Sequence, residues 1–174
     1  IIEAAAEDGI DTILTCDNGI AAISQIARAK ELGMTVVVTD HHDILTEAGE
    51  TPEGREILPP ADAVVNPKRR DSLYPFPDIC GGMVAYKLVQ VLYEVHKVPR
   101  EEWLSLLEIA AIATVGDVMK LQGENRILVK EGLSRLGHTS NLGLRKLIEK
   151  NNLQAGSITA YHIGFVIGPC LNAS

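Results

Sequence analysis

A chain of 174 residues with 46% hydrophobic content can build a packed core of ordinary domain size, and this excludes a disordered segment. The net charge of −7 excludes a strongly basic protein that coats nucleic acid, although carboxylates neutralised by bound cations would account for part of it. There is no signal-like leader, and no apolar run approaches the roughly 20 residues of a membrane span, so a soluble cytoplasmic protein with no membrane association is expected.

Aromatic residues make up only 4%, which leaves the core to Val, Ile, Leu and Ala, as in α/β interiors. In chain order, the pattern predicts a helix end over 1–8, a strand over 11–16, a helix over 20–32 and a strand over 34–39. Gly9 and Gly33 stand between helix and strand, where a left-handed cap is wanted. Helices joining short apolar strands form βαβ units and hence a parallel sheet. The polar stretch from Ile44 to Pro60 reads as a surface loop. Ala61 to Val65 is a third strand, closed by Asn66-Pro67.

The Pro-containing segment Lys68 to Asp78 reads as a loop, after which the period becomes helical. One helix runs from Met83 to Val95, and a second includes Trp103 through Ala113. A third spans Arg126 to Leu136, with shorter candidates at Leu142–Ile148 and Ala160–Ile167. The fold class is therefore α/β. A parallel α/β part over residues 1–67 is followed by a mainly helical part over 79–174. The chain opens on Ile1 inside an amphipathic helix and stops just after a Gly168-Pro169 turn, so it is expected to be a piece of a longer protein. Cys16, Cys80 and Cys170 show no CxxC spacing and read as small buried residues rather than a disulfide or zinc framework.

The chemistry gathers at the strand ends, where open α/β sheets place their sites. The strand Thr35–Thr39 runs into Asp40-His41-His42, and the strand ending at Cys16 runs into Asp17-Asn18-Gly19. Asp17 or Asp40 alone could be a helix cap, but adjacent imidazoles have no such structural excuse, and one pointing back toward Asp17 would be a natural ligand. Asp117 lies in the apolar stretch Ile109–Met119, where a buried carboxylate must be paired, capped or metal-bound. Clustered, Asp17, Asp40 and Asp117 would repel one another unless a cation were present.

Oxygen and imidazole donors without thiolate favour Mn²⁺ or Mg²⁺. Such sites often hold two ions roughly 3.5–4 Å apart, and three ligands are too few for two. The basic run Lys68-Arg69-Arg70 reads either as a solvated loop or as phosphate-binding residues on the same rim. Gly81-Gly82 suits an anion at a helix N-terminus or, equally, a tight packing contact. Trp103 and the methionines read as core, and His96, His138 and His162 receive no role.

Together these residues resemble the DHH phosphoesterase superfamily, and within it the RecJ-type single-stranded-DNA exonucleases. Asp17, Asp40-His41-His42 and Asp117 fit three of the superfamily motifs. The RecJ-like blocks are Thr15–Ile20, Val38–His42, Val65–Arg69, Tyr74-Pro75-Phe76, Gly123–Arg126 and Gly164–Pro169, and they run in order over nearly the whole chain. The resemblance implies a 5′-to-3′ exonuclease that releases mononucleotides from single-stranded DNA in repair and recombination, using two Mn²⁺ or Mg²⁺ ions.

It also implies roles. Asp17 would bridge the ions, and His41 and Asp117 would ligate one of them. His42 and Asp40 would be the catalytic pair, His42 meeting the scissile phosphate and Asp40 orienting the histidines. Lys68, Arg69 and Asn172 would contact the nucleic acid. Single-strand-binding protein and a RecQ-type helicase are the protein partners it suggests. Relatives often carry arginine where this chain has Cys170, which removes a phosphate contact. The first superfamily motif, Asp-x-Asp, is expected upstream of Ile1 and the C-terminal substrate-binding domain downstream of Ser174, so the chain alone is expected to be inactive. The alternatives are a nano-RNase, a cyclic-dinucleotide phosphodiesterase or a pyrophosphatase of the same superfamily, or an inactive replication scaffold.

Overall fold

In the computed structural model, which describes residues 1–49 and 54–173, the apolar run Thr12–Cys16 forms β1 and Thr35–Thr39 forms β2. Ala63–Val65 forms a further strand that pairs with β2 on its other side. All three run parallel, with β2 in the centre. The expected parallel α/β arrangement is therefore present. Central placement explains why Val36 and Val38 are fully buried while β1 alternates between exposed and half-buried positions.

Helix α1 (Ile2–Glu7) and helix α2 (Ile23–Glu31) flank the sheet, and Gly9 and Gly33 take the left-handed conformations anticipated for them. Ile26, Ala29, Met34, Val36 and Val38 form the core here, with Ile2, Ala5 and Val64 packed against it.

The segment between β2 and the third sheet strand is more than a loop. Leu45–Glu47 (β3) and Arg55–Ile57 (β4) pair antiparallel, which makes the Ala63–Val65 strand β5. The expected surface loop is corrected to that extent; residues 50–53 lie outside the described residues.

Asp62 locks the entry to β5. Lys30 Nζ donates to both its carboxylate oxygens at 2.8 and 2.6 Å, and the Val36 N–H donates to it at 2.7 Å. The hydrogen bond from Lys30 first, and that from Val36 second, hold the Asp62 pKa below its ordinary value. A carboxyl depressed in the folded state contributes stability that is present above its unfolded pKa, near 4, and is lost as pH falls through its folded pKa. Asp62→Asn is therefore expected to flatten the acid limb of the melting temperature below about pH 4. Thermal melts across the acid range check this, and an unchanged acid limb would refute it.

The chain divides into two compact units, Ile1–Ala85 and Tyr86–Ser174. The division falls within α3 (Gly81–Val95). The second unit is helical. The expected helix around Trp103–Ala113 is two, α4 (Arg100–Leu104) and α5 (Leu107–Gly116), separated at Ser105-Leu106. Next come α6 (Gly123–Leu136) and α7 (Leu142–Lys150). Gly132 of α6 lies against Ala111 and the Leu107 carbonyl of α5, where a Cβ would not fit. Ile112, Leu136, Leu144, Ile148, Ile158, Ile163 and Ile167 form this unit's core. Trp103 is buried as expected, edge-on to Tyr86 at 6.1 Å.

After a 3₁₀ turn at Ala155–Ser157, α8 (Ala160–His162) passes into a π-helical turn, Ile163–Ile167, and then α9 (Gly168–Asn172). Gly168-Pro169 is thus not a turn: the proline stands in the first turn of α9, which continues directly from the π-helical turn. Among the described residues no helix is long and apolar enough to cross a membrane. The cysteines are all free, but only Cys80 is buried; Cys16 and Cys170 are exposed, contrary to the reading of all three as core.

Candidate metal centre

The register sets the site. Cys16 pairs with Thr39, and Thr39 with Val65, so the three strands end level. The ladder continues one step beyond, with the Asp17 N–H donating to the Thr39 carbonyl and the Asp40 N–H to the Val65 carbonyl, each at 3.0 Å. Asp17, Asp40 and Asn66 therefore emerge side by side at the carboxyl edge of the sheet.

Asp17 leaves β1 in the left-handed region, φ 61°, and Gly19 follows at φ 109°. The side chain of Asp17 is 53% exposed, and α2 begins only at Ile23, so Asp17 does not cap that helix. Its carboxylate is aimed at His41 instead, with Oδ1 and Nε2 3.1 Å apart. Asp17 Oδ1 also meets Gly81, the first residue of α3. A Cβ on Gly81 would overlap that oxygen and lie 2.5 Å from Cγ and 2.6 Å from Cβ of Asp17. The tight packing contact read for Gly81 is therefore present, and what it packs against at the start of α3 is a carboxylate.

Asp40 is 1% exposed and forms the buttress of the site. It accepts from the Ile20 N–H at 2.9 Å, from the His41 N–H at 2.8 Å, from the His42 N–H at 3.2 Å and from His42 Nδ1 at 2.7 Å. Burial alone would raise its pKa, but these hydrogen bonds more than offset burial, and the group stays below the ordinary carboxylate value. An ionised Asp40 can only accept, so His42 donates to it through Nδ1, and in the neutral imidazole Nε2 is the nitrogen left to bind a cation. Asn66, which the sequence reading passed over as a strand terminator, holds the same loop. Its Nδ2 donates to the His42 carbonyl at 3.0 Å while its Oδ1 accepts from the Lys68 N–H at 2.9 Å.

Asp17, His41 and His42 thus offer three ligand atoms within 4.8 Å of one another. The donors are a carboxylate and two imidazoles, and no cysteine sulfur joins them among the described residues. Partial desolvation first, and the negative charge of Asp17 second, push the thiol of the largely exposed Cys16 up, which keeps it protonated. This oxygen and nitrogen set fits Mn²⁺ or Mg²⁺.

Asp117 is placed otherwise than its apolar surroundings suggest. It is the C-cap of α5 and exposed, so the argument from a buried charge does not apply. The buried carboxylate of that helix is Glu108, which accepts from Thr139 Oγ1 at 2.5 Å. An aspartate at a helix C-terminus opposes the dipole by about 0.3–1 kcal/mol. The residue after it, Val118, sits at φ 56°, a left-handed conformation that costs a β-branched side chain roughly 1–2 kcal/mol. Neither feature helps the helix end, and strain of this kind gathers at functional positions.

Lys68 donates to Asp43 at 2.8 Å in an exposed pair, which holds the Asp43 carboxyl below its usual value; such pairs exchange partners readily. Arg69 is engaged more fully, donating to the Val64 carbonyl and to both oxygens of Asp71. Asn172 stands exposed in α9.

A family model described as the N-terminal domain of the DHH family matches residues 2–114. The chain belongs to the DHH family. The match ends just before Asp117, and the DHH letters themselves are Asp40, His41 and His42, the buttress and two of the three clustered donors. The chain is 41% identical over 167 residues to the single-stranded-DNA-specific exonuclease RecJ of Bacillus subtilis, covering 96% of this chain and 19% of that protein. It is 33% identical to the RecJ of Escherichia coli, covering all of this chain and 30% of the relative.

Among solved structures it resembles exonuclease RecJ bound to manganese, with a TM-score of 0.78 and 32% identity over 99% of this chain and 41% of that one. It also resembles Thermus thermophilus RecJ in complex with Mn²⁺, with a TM-score of 0.75 and 32% identity over 99% of this chain and 24% of that one. This DHH chain therefore spans less than a third of the length of the curated relatives named here.

Proposed function

We propose that the chain forms the metal-binding, catalytic part of a RecJ-type exonuclease that degrades single-stranded DNA from the 5′ end to mononucleotides. The observation that carries this reading is the convergence of Asp17, His41 and His42 at the flush ends of β1 and β2. The names of its relatives point to the same substrate.

Asp17, His41 and Asp117 would hold the divalent ions. When bound, Mn²⁺ or Mg²⁺ supplies Lewis acidity toward the phosphodiester and its nucleophile. Asp40 holds His42 in one orientation through Nδ1, and Nε2, when protonated, would donate to the substrate's phosphate. Asn66 fixes the backbone of the same loop. Lys68 exchanges Asp43 for a backbone phosphate, Arg69 supports the loop that presents Lys68, and Asn172 meets the nucleotide backbone. Single-strand-binding protein and a RecQ-type helicase are the protein partners expected of this activity, and the cytoplasm its compartment.

The test is a substrate panel. The full-length protein is incubated with Mn²⁺ and 5′-phosphorylated single-stranded DNA, duplex DNA, a dinucleotide, a cyclic dinucleotide and pyrophosphate. Release of mononucleotides from single strands, with duplex spared, is the expected result. Turnover confined to the short substrates would overturn the substrate class, and no turnover at all would overturn the enzyme.

A further inference from the structure

The charges of this acidic chain are segregated. Residues 1–85 carry fifteen acidic side chains against six basic ones, whereas residues 119–174 carry seven lysines and arginines against three glutamates. Five of these seven, Lys120, Arg126, Lys130, Arg145 and Lys150, are exposed and outside the ion pairs of the described residues, which take only Arg135 and Lys146. Arg126 and Lys130 lie four residues apart on one face of α6, both exposed, and neither is held in an ion pair among the described residues. By contrast Arg135 and Lys146 are each committed to a glutamate.

Arg126 and Lys130 edge a groove of about 650 Å³ floored by Val129, Leu133 and Ile158, which His138 also lines. The wall facing α6 ends at Ala160. The next residue, Tyr161, begins an exposed aromatic pair. Tyr161 and Phe165 are 64% and 71% exposed, and their rings lie against each other, 4.9 Å between centroids and tilted by 31°. Along this stretch Ile163 and Ile167 are buried in the core while Tyr161 and Phe165 are exposed. The whole chain has only two phenylalanines, one tryptophan and four tyrosines, so two of its few aromatics stand together in solvent immediately after the residue that ends the groove edged by Arg126 and Lys130.

We infer that this face of the helical unit is a second contact for single-stranded nucleic acid. Bases stack on Tyr161 and Phe165, and the backbone phosphates lie along Arg126 and Lys130. The inference rests on the substrate class proposed above. Cations that follow a backbone beside exposed aromatic faces are the elements by which single strands are held without sequence preference. Basic charge complements the phosphates, and an aromatic pair suits bases better than an aliphatic patch would.

The test is fluorescence anisotropy of the full-length protein on a labelled 20-nucleotide single strand in EDTA, across a salt titration. The Tyr161→Ala/Phe165→Ala variant is expected to weaken binding tenfold or more, given the worth of base stacking on each ring. The Arg126→Gln/Lys130→Gln variant is expected to make the slope of log K against log salt shallower by about 1.4, the share of two phosphate contacts on a single strand. Tyr161→Phe/Phe165→Tyr keeps both ring faces and should bind as the parent does.

Parent-like affinity and slope in the first two variants, beside a parent that binds tightly, would overturn this inference alone. A parent that does not bind the strand would overturn the proposed substrate as well. A lowered melting temperature with unchanged binding would identify the pair as packing and overturn the inference too.

Discussion

Asp17→Asn is expected to reduce Mn²⁺-dependent hydrolysis of single-stranded DNA to background while leaving the melting temperature close to that of the parent. Asparagine is the informative replacement because Asp17 sits at φ 61°, a region asparagine tolerates and alanine does not without strain. It preserves size and local hydrogen bonding and removes the one negative donor of the cluster. Asp17 is half exposed, so no core is lost. The loss should therefore be one of cation binding, seen as a collapse of Mn²⁺ affinity by calorimetry on the full-length protein.

His41→Ala should have the same effect on activity at a somewhat larger cost in stability, because the imidazole is almost buried against the sheet edge. Hydrolysis comparable to the parent in Asp17→Asn would remove Asp17 from the ligand set and with it the proposed centre.

The sheet and its edge were largely legible, because a buried parallel strand writes itself as a continuous apolar run and its last residue marks where side chains emerge. Thr35–Thr39 could be read to its end, and the Asp40-His41-His42 that follows could hardly be punctuation. The division of labour within that tripeptide is also consistent with the geometry: the first residue faces inward as a buttress and His41 turns toward Asp17.

Hydropathy failed where position along an element matters more than composition. Asp117 looked buried because its neighbours are apolar, yet helix α5 ends one residue earlier and the side chain escapes, whereas Glu108 two turns back is the carboxylate that is buried. The hairpin β3–β4 was hidden by its brevity and exposure, since its pairing rests on backbone bonds and leaves no alternating apolar face to read. Gly168-Pro169 suggested a turn because local preference cannot see that the helix runs on through the preceding π-helical turn into α9. Asn66 was legible only as a strand end inside the Val65–Arg69 block, and its role depends on a carbonyl that only the folded loop brings to it.

Gly81→Ala is the second large effect expected, and it tests whether the centre depends on the close approach of α3 to β1. A methyl group at Gly81 cannot coexist with the present position of Asp17, whose carboxylate it would overlap. Either the first turn of α3 retreats or Asp17 swings away from His41. Overpacking of this kind costs roughly 1–3 kcal/mol, and alanine gains back part of it as a better helix former than glycine, so the melting temperature should fall by only a few degrees. Activity should fall much further, by about a hundredfold, since a misplacement near 1 Å in a catalytic group has that effect.

The signature that separates this from general damage is weakened Mn²⁺ affinity in a protein whose circular dichroism matches the parent. Parent-like affinity and turnover in Gly81→Ala would mean that α3 yields without disturbing Asp17. The glycine would then be a packing accommodation rather than the element that sets the ligand's position.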